Sequence, residues 1–197
     1  MLKLTKDFYI TSIDYNYGWK SYIFDKEIRF CFRYKNYKVE LNVSFSFIGL
    51  TKEDNLPIIN FGYTVDMQKY SNKTQSWKWL DDVDSENGRS TKKYFDSKEA
   101  REIVLRFVER AIQKYLKENH PAIIIRGAMS EIKLNLPRYK RFDKIFCQYY
   151  IKKEFDVNKY DALYQICGNS EDDENKVIWV YCKKEWYFEQ LNEVLEA

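Results

Sequence analysis

Residues 28–47 read IRFCFRYKNYKVELNVSFSF, and apolar and polar side chains alternate through them almost without a break. Val39, Leu41, Val43, Phe45 and Phe47 interleave with Lys38, Glu40, Asn42, Ser44 and Ser46. Successive side chains of an extended chain point to opposite faces, so this period of two predicts a strand with one buried face and one wet face. Just upstream, Ile28, Phe30, Phe32 and Tyr34 alternate with Arg29, Cys31 and Arg33, and the turn-prone pair Lys35 and Asn36 joins the two runs as a hairpin. Downstream, Phe61, Tyr63, Val65 and Met67 alternate with Asn60, Gly62, Thr64 and Asp66. An antiparallel meander follows from these runs, with residues 8–14 as a candidate fourth strand.

The period changes to that of a helix at residues 97–119. Asp96 or Ser97 can cap the start, Glu99 follows Asp96 by three as a capping box requires, and Ala100, Ile103, Val104, Phe107, Val108, Ala111, Ile112, Tyr115 and Leu116 make one apolar stripe. Asn119, His120 and Pro121 stop it, because proline cannot continue a helix. A stripe that wide predicts a helix lying on one face of the meander. Between them, residues 69–95 lose apolar periodicity and read as a surface loop, in which Trp77 and Trp79 share one face of an extended segment.

Residues 122–125 read as a buried strand ending at Arg126 and Gly127. A second helix is expected from Asn135 or Pro137 to about Tyr150, then a hairpin of residues 160–167 and 176–182 around the acidic loop 169–175, then a short amphipathic helix over 184–196. The expected fold is a single α+β domain over residues 1–197. It has an antiparallel sheet, made of an N-terminal meander plus a C-terminal hairpin, with one long helix packed on a face and a second, shorter, basic helix.

The 197 residues, 45% hydrophobic and 18% aromatic, carry enough apolar surface for a full core. No window approaches the roughly 18–20 consecutive apolar residues of a membrane span, and the N-terminus is charged, so the expectation is a cytoplasmic protein with no membrane association. Cys31, Cys147, Cys167 and Cys182 lack the C-x-x-C spacing of zinc or redox sites and sit in apolar or aromatic stretches, which predicts packed, reduced thiols. The one pairing to check is Cys167 with Cys182, which the expected hairpin would set across from each other.

Charge is unevenly placed. Residues 126–153 hold eight Lys/Arg against two Asp/Glu, residues 154–197 hold four against eleven, and the whole chain nets only +3. Clustered cations, not net charge, attract phosphate. The basic helix carries Arg138, Tyr139, Lys140, Arg141 and Lys144; Arg138 and Arg141 are three apart, Lys140 and Lys144 four apart, and Arg126 can extend the cluster.

Catalytic patterns are sparse. The phosphate-binding loop, the dinucleotide fingerprint, the H-E-x-x-H helix and the G-x-S-x-G elbow are all missing, and His120, the single histidine, stands at a helix end where it suits capping. The expected function is that of a non-enzymatic binding or regulatory protein, without cofactor or metal. It would use Arg126, Arg138, Lys140, Arg141 and Lys144, with Tyr139 and Trp77 or Trp79 as stacking partners, against nucleic acid or an acidic protein surface. Two alternatives are weighed beside it. Glu131 and Lys133 have the E-x-K form of a metal-dependent nuclease or phosphoesterase. A structural or self-assembling module, such as a phage-type inhibitor of a host protein, would leave the cations as an ordinary wet surface.

Overall fold

In the computed structural model, the described residues are 2–3, 8–17, 22–79, 98–129, 137–156 and 176–196. The strands are β1 (Leu2–Lys3), β2 (Phe8–Tyr17), β3 (Lys26–Tyr34), β4 (Tyr37–Leu50), β5 (Pro57–Ser71), β6 (Ser76–Trp79), β7 (Ile123–Met129), β8 (Ile151–Asp156) and β9 (Lys176–Cys182). The helices are α1 (Lys98–Asn119), α2 (Pro137–Phe146) and α3 (Trp186–Glu196). Sheet order is β1-β2-β3-β4-β5-β7-β9-β8, with β6 paired to β5 off that path. The protein is therefore α+β, with an N-terminal meander and one long helix packed on the sheet.

Three expectations are corrected. The sheet is mixed, because β5 and β7 run parallel, Ile58 opposite Ile123 and Asn60 opposite Ile125. Parallel neighbours need a long crossover, and the connection that contains α1 provides it. The stretch after residue 67 is not all loop: β5 continues to Ser71 and turns back into β6, so Trp77 pairs with Tyr70 and Trp79 with Gln68 on a strand. Finally, β9 has β7 on one side and β8 on the other, so the hairpin partner of residues 176–182 is 151–156 rather than 160–167. Lysines 152 and 153 and Glu154 hide the strand character of β8; on an edge strand such charges deter pairing with another chain. Residues 160–167 themselves, and residues 80–97 and 169–175, which the sequence suggests as loops, lie outside the described residues.

Two compact units divide the chain, and both draw on β4, β5 and α1. In the first, the inward row of the meander, Phe8, Phe30 and Phe32, meets Phe107 of α1, with ring centroids 4.8 Å apart for Phe30 and 5.0 Å for Phe32. The second unit is covered on both faces. Ile123, Ile125, Ile178 and Val180 pack with Tyr187, Phe188 and Leu191 of α3. Residues of opposite parity, Trp179 and Tyr181, turn the other way, and Phe146 of α2 lies 4.7 Å from Tyr181. Burial on both sides explains why β7 begins as an unbroken apolar run instead of alternating. On this unit's part of α1, Tyr115 stacks flat on Phe45 at 4.0 Å and donates its hydroxyl to the Phe24 carbonyl at 2.9 Å.

His120 ends α1 in the left-handed region, φ 46°, and its amide donates back to the Leu116 carbonyl at 3.2 Å. Glycine adopts that conformation without the Cβ clash. His120→Gly is therefore expected to raise stability by about 0.5–1 kcal/mol, after allowing for the extra freedom glycine gives the unfolded chain. A urea midpoint that falls instead would show that the imidazole makes a stabilising contact.

Cys31, Cys147 and Cys182 are all free, and Cys182 is buried between Ile123 and Ile151 in register, which leaves it no partner across a hairpin. Cys147, expected to be packed, is exposed just past the end of α2. Partial desolvation and the nearby Asp143 carboxylate push its thiol above the ordinary range, against the opposing effect of Lys152, and so disfavour the thiolate.

Candidate polyanion-binding surfaces

Helix α2 is amphipathic, and its apolar side fixes where its cations go. Phe142, Ile145 and Phe146 are buried; Lys140 and Lys144, one helical turn apart, are exposed. Arg141 is half-buried and engaged within the protein. Arg138 and Tyr139 lie in the first turn, and their side chains are outside the described residues, as are Glu131 and Lys133 altogether. Among the described residues, no group of three or more His, Cys, Asp or Glu is placed to hold a metal ion. No described helix is long and apolar enough to cross a membrane.

Arg126 does not reach that surface. It is only 3% exposed, because its parity in β7 directs it to the face that α2 covers. There its guanidinium lies among three rings, 5.1 Å from Phe142, 5.3 Å from Trp179 and 6.0 Å from Phe61. Asp143 supplies the counter-charge, with one carboxylate oxygen 3.8 Å from the guanidinium and the other accepting from Lys152 Nζ at 2.7 Å. Tyr181 also donates its hydroxyl to Asp143. Desolvation holds the Tyr181 phenol well above its ordinary range; Arg126 opposes that, while the hydrogen bond to Asp143 reinforces it. A buried cation with a carboxylate beside it and aromatic walls belongs to the packing between β7 and α2 rather than to the exposed surface of the helix.

Asp143 thus faces inward from the same helix whose lysines face out. The carboxylate answers Arg126, Lys152 and Tyr181, and leaves the Lys140–Lys144 side of the helix cationic. The chain matches no protein-family model, no curated protein and no solved structure. What the surface can do therefore has to be argued from its own charges and rings.

In the N-terminal unit, Trp77 is half-buried on β6, edge-on to Tyr70 at 5.5 Å. Lys38 Nζ sits 4.4 Å from the Trp77 ring centroid and the Arg33 guanidinium 5.5 Å. Sequence reasoning nominated Trp77 but missed Arg33, Lys38 and Tyr70. The signal was present: residues 30–39 and 67–79 contain no Asp or Glu at all. Trp79 shares the strand, with its side chain outside the described residues. A shallow cleft on the other unit, lined by Lys52, Glu53, Trp186, Glu189 and Gln190, has two carboxylates against one lysine and does not suit an anion.

Proposed function

We propose that the protein is a non-enzymatic binding protein that takes nucleic acid as a polyanion, with Lys140 and Lys144 of α2 among its phosphate contacts. One observation carries the reading: Asp143, the only carboxylate on the helix, is turned inward, so within the helix nothing offsets the charge of the two exposed lysines. The excess of eight cations over two carboxylates across residues 126–153 supports it. Phosphate contacts of this kind release counter-ions and carry little sequence information, so the reading implies broad rather than sequence-specific recognition.

Binding of a labelled oligonucleotide, followed by anisotropy from about 50 to 200 mM salt, tests it. Affinity should fall steeply and linearly on a double-logarithmic plot, and Lys140→Glu with Lys144→Glu should lower the slope by about 1.5–2. A flat salt response, or a double variant that binds like the parent, rejects the reading. Because both lysines are exposed, the double variant should keep the parent's urea midpoint within about 0.5 kcal/mol of stability.

A further inference from the structure

On the outward face of the N-terminal meander, charges are paired in one half and single-signed in the other. Away from the hairpin tips, Arg29 bonds Glu40 at 2.6 Å and lies 4.5 Å from the Tyr17 ring, and Asn42 donates to Asp66 at 3.3 Å. Toward the tips no carboxylate stands among the described residues. Residues 30–39 carry Arg33, Lys35 and Lys38, and residues 67–79 carry Lys69, Lys73 and Lys78, with no acid in either stretch. Arg33, Lys35, Lys69, Lys73 and Lys78 are all exposed.

The two tips meet in space through the Trp77 ring. Arg33 of β3 and Lys38 of β4 both lie over Trp77 of β6, which in turn pairs with Tyr70 of β5. Tyr9 of β2 stands opposite Arg33 in register and has the same outward parity. A row of three rings and two cations therefore crosses the outer face from β2 to β6. Tyr70 is 42% exposed, far more than a ring used only for packing. On the reverse side of the β5–β6 hairpin, Lys69 and Lys78 are direct cross-strand partners. Like charges placed opposite each other destabilise a sheet, so this arrangement weakens the hairpin in isolation.

From this we infer that the tips of the β3–β4 and β5–β6 hairpins form a second binding site, for single-stranded nucleic acid, with Trp77 and Tyr70 stacking bases and Arg33 and Lys38 holding phosphates. Rings that keep part of their surface open and are flanked by cations match the two components of a single strand, its flat base faces and its charged backbone. A duplex keeps its bases stacked on each other and offers only the second component. The inference shares with the α2 reading only the nucleic-acid class of ligand, and the two surfaces are separable by mutation.

The full chain is titrated with fluorescein-labelled oligothymidylate, and separately with inorganic polyphosphate, which has the charge but no bases. Trp77→Ala should weaken oligothymidylate binding about tenfold or more while leaving polyphosphate binding unchanged. Trp77→Phe, which retains a stacking face and a strand-compatible side chain, should recover most of the loss. Arg33→Gln with Lys38→Gln should weaken both ligands and lower the salt slope. If Trp77→Ala disturbs the circular dichroism of the hairpin, Trp77→Phe and the Arg33/Lys38 variant decide.

Equal loss of both ligands in Trp77→Ala, or wild-type binding by Trp77→Ala and by the Arg33/Lys38 variant, overturns the inference. So does competition by polyglutamate as effective as that by oligothymidylate, which would point to an acidic protein partner. Loss confined to the Lys140/Lys144 variant overturns this site and leaves the α2 reading standing. Loss confined to the Trp77 and Arg33/Lys38 variants does the reverse, and an absence of any oligonucleotide binding removes both.

Discussion

Asp143→Ala is expected to destabilise the fold by about 3 kcal/mol, the low end of what breaking a buried ion pair costs. The side chain of Arg126 is 4% exposed, so water cannot replace the carboxylate it loses. The three aromatic faces within 6.0 Å each contribute on the order of 0.5–2 kcal/mol, and none carries a full negative charge. Arg126→Met should be much milder, about 1 kcal/mol, for reasons that lie on the other partner. Asp143 is 22% exposed and keeps Lys152 at 2.7 Å and the Tyr181 hydroxyl, so it is left neither dry nor alone, while methionine still fills the space between the rings. The asymmetry is the informative part. Urea unfolding of the two single variants and the double variant should give Asp143→Ala the larger loss, and the double variant a smaller loss than the two added together. Equal losses in the single variants would mean that the rings, not the carboxylate, hold the guanidinium.

That centre also shows where sequence reasoning stopped short. The meander was legible because its alternation is long and one face is wet: Phe30, Phe32, Val39, Leu41, Val43 and Phe45 are all buried as their parity requires. Helix α1 was legible from its stripe and stop signal, and begins and ends within a residue of the expected span. Strand β7 was recognised as buried, but a strand covered on both faces gives no alternation, so nothing in the letters told Arg126 from a surface arginine at a strand end. Its inward direction follows only once β7 is seen to continue to Met129 beneath α2. For β8 the difficulty was the opposite. Lysines and a glutamate on an edge strand look like a solvated linker, since pairing on one side alone is enough to order them. At Trp77 the periodicity failed because in the β5–β6 hairpin neither face is fully buried, and hydrogen bonding in register, not burial, defines the strands.

Those differences bear on function. Counting cations by segment ranked residues 126–153 first, yet two members of that count, Arg126 and Lys152, are committed to Asp143. The hairpin tips, with fewer cations and no carboxylates, do not stand out in a count by segment, because their cations come from stretches far apart in the chain. A Coulomb field depends on what lies within a Debye length, roughly 8–10 Å, which is a property of register rather than of sequence distance. Trp77 illustrates the point: the cations nearest its ring come from Arg33 and Lys38, about 40 positions earlier in the chain.

Alkali should unfold this protein more steeply than loss of ion pairs alone would. Tyr115, Tyr150 and Tyr181 are buried phenols, and desolvation is the main cause that lifts all three far above the ordinary tyrosine value of about 10. Each also acts as a donor, to the Phe24 carbonyl, the Pro121 carbonyl and Asp143 respectively, and a phenolate could make none of these bonds. The sign follows directly. Above pH 10 the unfolded chain releases these protons and the folded chain retains them, so the unfolded state gains stability as pH rises; below pH 10 both states are protonated and the contribution is fully present. Well above pH 10 each phenol costs about 1.4 kcal/mol per pH unit, so by pH 11 the three together should have removed about 4 kcal/mol relative to neutral pH, a large part of the stability of a typical domain. Urea unfolding across pH 8.5–11 would show a plateau and then a steep fall. Tyr150→Phe, which gives up one hydrogen bond at neutral pH but has no proton to release, should flatten that fall by about a third. An unchanged slope in this variant would mean that Tyr150 ionises as readily in the folded protein as in the unfolded chain.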